Sequence, residues 1–180
     1  MDQLAKDVLD FWREAGPKKW FAKDDAFDAS IREHFAKAHR DASRGLSAAW
    51  EAQAEATLAL LLLLDQFPRN LFRDSAHAFA TDPMALNIAK RSLRKGYDAC
   101  CGERMKQFFY LPLMHSEEIA DQEYCLALCL QSGNAENVKF ARIHRDIIAR
   151  FGRFPHRNKV MGRETTPEEQ QFLDEGGFAG

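Results

Sequence analysis

Ala52-Gln53-Ala54-Glu55-Ala56-Thr57-Leu58-Ala59-Leu60-Leu61-Leu62-Leu63-Leu64-Asp65-Gln66-Phe67 is the stretch that decides the fold. It is built largely of Ala and Leu, both strong helix formers. From Thr57 to Leu64 it is apolar on every side, so the helix has no face to offer water and belongs inside a core made by other helices. The aliphatic run from Leu58 to Leu64 is far too short to cross a bilayer. Pro68 follows at once and is predicted to end the helix.

Working outward, the flanking segments have the amphipathic pattern that such a central helix needs. Leu4, Val8, Phe11, Trp12 and Ala15 fall on one helical face, and Gly16-Pro17 stops that helix. Phe27, Ile31, Phe35 and Ala38 form a second stripe, with Asp24 and Asp25 at its N-terminal end and Gly45 closing the next turn. Downstream, Thr81-Asp82-Pro83 reads as an N-cap with Pro at the first helical position, opening a helix to about Lys95. Glu103 to Tyr110 forms a shorter helix that Pro112 breaks. Ser116 is predicted to cap a helix with Glu117 and Glu118 in its first turn, ending near Gly133. Asn134 caps the next, whose stripe is Phe140, Ile143, Ile147, Ile148 and Phe151. Thr166-Pro167-Glu168-Glu169 is a capping box that starts a last helix. No segment alternates with the strand period. The expectation is an all-α protein of about seven or eight helices in antiparallel pairs, forming a single domain over residues 1–180.

Bulk properties narrow the function. The 180 residues are 46% hydrophobic and 29% charged, which is globular composition, and the net charge is −2. That balance argues against nucleic acid as a partner, because phosphate neutralisation needs a basic face. Asp2, Lys6, Asp7 and Asp10 follow Met1 without an apolar region, so a cytoplasmic location and no membrane partner are expected. Cys100, Cys101, Cys125 and Cys129 lack zinc-site spacing and read as small apolar residues in a reducing compartment. No motif calls for a cofactor, and no metal ligand set is assigned.

Three polar segments lie beside strongly apolar helices. In Asp65-Gln66-Phe67-Pro68-Arg69-Asn70, Asp65 shares a face with Leu61 and Leu62, near the negative end of its own helix. A carboxylate there needs a cation, and Arg69 is the nearest. The plain alternative is a helix end in which Asp65 and Arg69 pair locally. In Pro112-Leu113-Met114-His115-Ser116-Glu117-Glu118, His115 and Glu117 are candidates for an acid–base pair; alternatively the acids only complement the helix dipole while His115 packs. In Arg150-Phe151-Gly152-Arg153-Phe154-Pro155-His156-Arg157-Asn158-Lys159, Arg153 and Arg157 could grip a carboxylate or phosphate with two parallel hydrogen bonds, beside His156 and Asn158. The alternative is a loop tied by Arg–carboxylate pairs. Phe67-Pro68-Arg69-Asn70 is echoed by Phe154-Pro155-His156-Arg157-Asn158. His34 and His39 are expected on a solvated face, His144 and Phe108-Phe109-Tyr110 in the core. Trp20-Phe21 either covers a pocket or packs.

Trp20-Phe21, Leu64 to Asn70, Leu111-Pro112-Leu113-Met114-His115-Ser116-Glu117 and Arg153 to Asn158 resemble the signature of the bacterial domain-of-unknown-function 924 family, and the match runs over almost the whole chain. Met161-Gly162-Arg163-Glu164-Thr165 departs slightly from the Leu-Gly-Arg-x-Ser pattern expected there. The resemblance implies a helical fold similar to tetratricopeptide-like right-handed superhelices and supplies no activity. The residues themselves suggest a binding module for a small anionic molecule or peptide carboxylate, held by Asp65, Arg69, Asn70, Arg153, Arg157 and Asn158. A hydrolase using His115, Glu117 or His156 with water as nucleophile is the alternative, and an interaction scaffold is the third reading. The aromatic-rich helices leave room for a homodimer.

Overall fold

The computed structural model describes residues 1–178, and among them there is helix and no strand. The all-α expectation holds. Eight α-helices have eight residues or more: α1 (Gln3–Ala15), α3 (Asp25–Ser43), α4 (Ala54–Leu61), α6 (Asp82–Arg94), α7 (Gln107–Met114), α8 (Ile119–Ser132), α9 (Ala135–Phe151) and α10 (Pro167–Asp174). Two short pieces, α2 (Pro17–Trp20) and α5 (Phe67–Leu71), complete the set. The chain gathers into two compact units. The first takes Met1–Arg73 and His77–Pro112; the second takes Asp74–Ala76 and the chain from Leu113 onward.

In the first unit α4 packs between α1 and α6, and α3 packs on α5. Leu58 to Leu64 are almost wholly excluded from water, as an all-apolar helix requires. Each such Leu side chain contributes roughly 1.5–3 kcal/mol of burial. Aromatic rings fill the adjoining layer. Phe11 stacks on Phe27 at 5.5 Å, Trp12 on Trp20 at 6.1 Å, and Trp20 meets Phe108 edge-on at 5.0 Å. Trp20 Nε1–H donates to the Trp12 carbonyl at 2.7 Å, which fixes the short α2 to α1. Its neighbour Phe21 is exposed.

Two prolines behave differently from expectation. Pro68 does not end the central helix. Residues Leu62–Gln66 instead widen into a π-helical turn, in which the Phe67 N–H reaches back five residues to the Leu62 carbonyl, and Pro68 sits in the first turn of α5. There its missing N–H is least costly. Pro112 does not break its helix either; α7 begins later than predicted, at Gln107, and runs through Pro112 to Met114. Burial of Phe108, Phe109, Tyr110, Leu111, Leu113 and Met114 outweighs the single hydrogen bond that Pro112 forfeits.

The second unit is built on α8 and α9. Gly133, at φ 73°, turns the chain out of α8, and Asn134 Oδ1 accepts from the N–H groups of Glu136 and Asn137 at 3.0 and 3.1 Å to start α9. Ile147, Ile148 and Phe154 form its core, joined by Ile143, Phe151, Phe172 and Phe178. Thr166 and Glu169 make the predicted capping box of α10.

Candidate functional site

The π turn determines the chemistry of the first unit. Widening the helix at Leu62–Gln66, with Pro68 just beyond, removes backbone donors from consecutive carbonyls, and buried carbonyls need partners. Side chains supply them. The His39 Nδ1–H donates to the Leu63 carbonyl at 2.8 Å, the Thr81 hydroxyl to the Leu64 carbonyl at 2.5 Å, and Arg69 to the Asp65 carbonyl. His39 is therefore buried, not on a solvated face, and burial ahead of its carbonyl hydrogen bond pushes its pKa below the ordinary value. Thr81 spends its hydroxyl on Leu64 rather than capping α6 through its side chain.

Asp65 is 1% exposed and accepts from Gln66 Nε2 at 2.5 Å. Its predicted cation is present, with Arg69 Nη1 3.5 Å from Oδ1, yet Arg69 is shared. It makes two parallel hydrogen bonds with Asp82, at 3.1 and 3.0 Å, and lies over the Phe79 ring. Asn70 Nδ2 donates to Asp28 Oδ1 at 2.8 Å, and Arg73 binds both oxygens of the same carboxylate. Burial opposes ionisation of Asp28, but the hydrogen bonds from Arg73 and Asn70 outweigh it and keep its pKa low.

In the second unit two of the polar segments come together. Glu117 lies outside the first turn of α8, which starts at Ile119; Ser116 accepts from the Glu118 N–H at 3.2 Å and donates to Asp121 at 2.8 Å. Buried Gln122 holds the preceding turn by donating to the carbonyls of Met114 and Ser116, at 2.7 and 2.6 Å. So released, the Glu117 carboxylate accepts the Phe154 N–H at 2.8 Å and pairs with Arg163 through both oxygens, at 2.7 and 3.0 Å. Burial would raise its pKa; the Arg163 and Phe154 hydrogen bonds lower it overall. Arg157 donates to the His115 carbonyl at 3.1 Å and stacks its guanidinium 4.5 Å from the Phe154 ring centre.

Arg153 is occupied by an internal carboxylate. It binds Glu169 at 2.6 and 2.8 Å, and Asn158 Nδ2 donates to the same Glu169 at 3.1 Å. Glu169 is 2% exposed, and its pKa is pulled down to about 2, first by Arg153 and then by the Thr166 N–H, against the effect of burial. His156 has its pKa pushed down to about 4, by burial first and by Arg157 second, so its ring is neutral at pH 7. His144 is a satisfied core histidine, its Nδ1–H given to the Phe140 carbonyl at 2.9 Å. In the Phe154–Arg163 loop His156 Nδ1, Asn158 Oδ1 and Arg163 Nε are buried without a hydrogen-bond partner, as are Trp12 Nε1 and Gln122 Oε1 elsewhere among the described residues. No group of three or more His, Cys, Asp or Glu side chains is arranged there to hold a metal, and no helix is long and apolar enough to cross a membrane.

Arg163 and Gln122 do not stand out as site residues in the sequence. The Gly162-Arg163 pair inside a basic loop was the available signal for the first; Gln122, one polar residue in a helical run, carried none.

Fold and site together define an all-helical protein in which arginines and asparagines of short connecting segments hold buried carboxylates. The chain belongs to the family described as bacterial protein of unknown function (DUF924), whose model matches residues 8–177. It is similar to a solved structure of a protein of unknown function from Agrobacterium tumefaciens, with 50% sequence identity and a TM-score of 0.94 over 97% of this chain and 98% of that one. No curated protein matches it.

Proposed function

We propose that this protein is a binding module for a small anionic molecule or a peptide carboxylate, received by the Phe154–Arg163 loop of the second unit. The observation that carries the reading is the gathering of His156 Nδ1, Asn158 Oδ1 and Arg163 Nε in one loop, buried and without hydrogen-bond partners. Buried polar atoms are rarely left unmatched, and a bound polar group is one cause. Arg157 and Arg163 supply the charge, the neutral His156 ring and Asn158 supply a donor and an acceptor, and Glu117 and the His115 carbonyl orient the two guanidinium groups. Arg153 acts as a tie to Glu169, and Asp65, Arg69 and Asn70 of the first unit have ties of their own.

Calorimetric titration with inorganic phosphate, acetate and a tripeptide with a free C-terminus tests the reading. Saturable binding of one of these, weakened about tenfold or more by Arg163→Gln and by Arg157→Lys, is expected; tenfold corresponds to ~1.4 kcal/mol. No saturable binding, or binding indifferent to both variants, overturns it. The alternative, a hydrolase with water as nucleophile, draws on one observation, an uncharged and buried His156 ring with an unmatched nitrogen, as a general base requires. Loss of hydrolytic turnover in His156→Gln, with the fold retained, would favour it.

A further inference from the structure

One face of α3 carries Arg32, Ala36, His39, Arg40 and Ser43, at helical spacing. With Leu71 and Phe72 at the end of α5, these residues line a half-open hollow of about 370 Å³ in the first unit. That volume lies in the range of small-molecule sites. The small side chains of Ala36 and Ser43 leave the space, and the two arginines stand at either side of it. Eight residues of helix separate Arg32 from Arg40, or about 12 Å along the axis.

Neither arginine of this hollow is in an ion pair among the described residues, although Asp28 feels Arg32 and Asp41 feels Arg40 through space. Arg32 reaches the Leu71 carbonyl at 3.4 Å, and Arg40 has no ion-pair partner among the described residues. Asp28, one turn before Arg32, is already gripped by Arg73 and Asn70, and Asp41, beside Arg40, is paired with Lys37 at 2.6 Å. The floor between the arginines is apolar and fixed. His39 is held to the Leu63 carbonyl, and the Phe72 ring lies tilted against it at 5.6 Å.

We propose that this hollow binds a short linear dianion, a small molecule with an anionic group at each end and an apolar middle. Arg32 takes one end, Arg40 takes the other, and the middle lies on Ala36, Leu71 and Phe72. A single small oxyanion engages one arginine at a time; two anionic ends engage both, so ligand length sets the affinity. The site is distinct from the Phe154–Arg163 loop and stands or falls separately from it.

The test is an NMR titration of the full chain with α,ω-dicarboxylates from succinate to suberate, with hexanoate and acetate as monoanions and an α,ω-alkanediol bisphosphate as the phosphate counterpart. The expected result is saturable shifts at residues 32–43 and 71–72, including the His39 ring, with one chain length binding about tenfold or more tighter than hexanoate. Arg32→Gln and Arg40→Gln, both at exposed positions, should each remove that advantage. Lys18→Gln, an exposed charge change in the same unit outside the hollow, should leave it intact. The bisphosphate arm decides whether the preferred ends are carboxylate or phosphate. The proposal is overturned if dicarboxylates bind no tighter than hexanoate, if Lys18→Gln weakens binding as much as the arginine variants, or if no saturable shift develops by about 10 mM, where even a millimolar site would be filled.

Discussion

Asn158 donates its amide to Glu169 at 3.1 Å, and this bond fastens the loop after α9 to the first turn of α10. The first unit repeats the device with different helices. Asn70 donates to Asp28, in the first turn of α3, at 2.8 Å. In both cases an arginine completes the grip, Arg153 on Glu169 and Arg73 on Asp28, and in both a fully buried phenylalanine precedes the Pro, Phe154 or Phe67. The short sequence echo thus corresponds to a repeated piece of chemistry: a short segment, helix α5 in one unit and the loop after α9 in the other, that anchors a ring in the core and clamps the carboxylate of another helix.

Glu169→Gln keeps the shape of that clamp and removes its charge. Losing the charge-assisted bonds at this buried carboxylate should cost about 2 kcal/mol in urea unfolding, because hydrogen bonds to charged groups contribute roughly 1.5–3 kcal/mol. A cost below a few tenths of a kcal/mol would show the clamp to be ornamental.

Stability should fall in two steps on acidification. His156 has a folded-state pKa of about 4 against an ordinary 6.5, so the unfolded chain takes up its proton first. Its contribution is complete above about pH 6.5 and is lost as the pH falls towards 4. Glu169 is depressed from 4.5 to about 2, so its contribution is present above about pH 4.5 and disappears on the way down to 2. Unfolding midpoints measured from pH 7 to 2 should show both ranges. Glu169→Gln should shrink the lower one, where Asp28 and Glu117, also depressed, leave a residual slope, and His156→Gln the upper one, where His39 does the same.

Thr81→Val should cost about 1–3 kcal/mol, since it leaves the buried Leu64 carbonyl without its hydroxyl donor. Thr81→Ser should restore most of this. In a Pro68→Ala background the penalty should shrink, because an alanine at that position brings back a backbone N–H four residues after Leu64. A double-mutant cycle with no coupling between positions 68 and 81 would contradict the account of the π turn.

Thiol labelling should single out Cys100, the exposed cysteine. Burial pushes the Cys101 thiol up to about 11, and Cys125 is raised by its hydrogen bond to Cys129 and by burial, so neither presents a thiolate at neutral pH; the same bond lowers Cys129, which burial closes off from reagent. One fast-reacting equivalent is expected under native conditions and four after denaturation; Cys100→Ser should abolish the fast phase.

The helices were legible because their signals are local. Asn134 and Thr166 cap as their positions suggest, though Thr81 makes no side-chain cap and Glu118 takes the place expected of Ser116, and the all-apolar run of Leu58 to Leu64 sits where such a run must sit. The two prolines escape a local reading for a physical reason: a local rule gives what the ring costs, while burial of the flanking Leu and Phe residues decides whether that cost is tolerated. His39 reads as solvated because its partner, the Leu63 carbonyl, becomes free to accept only once the π turn forms. Likewise, sequence located the polar segments but not the partners of their side chains. Glu117 reads as a dipole-complementing acid until the loop 46 residues on brings Arg163 to it.

The π turn at Leu62–Gln66 also makes chain length a critical variable at this point. Such a turn holds one residue more than an α-helical one, and each residue of a helix advances the side-chain direction by about 100°. Deleting a leucine would regularise the backbone ladder, yet it would swing everything behind it around the axis. Phe67 would leave its aromatic neighbours, Arg69 would leave Asp82, and Asn70 would leave Asp28 together. The helix acts like a two-part key whose halves fit their separate locks only at one relative rotation, so a same-length change of residue should be far better tolerated here than the loss or gain of a single one.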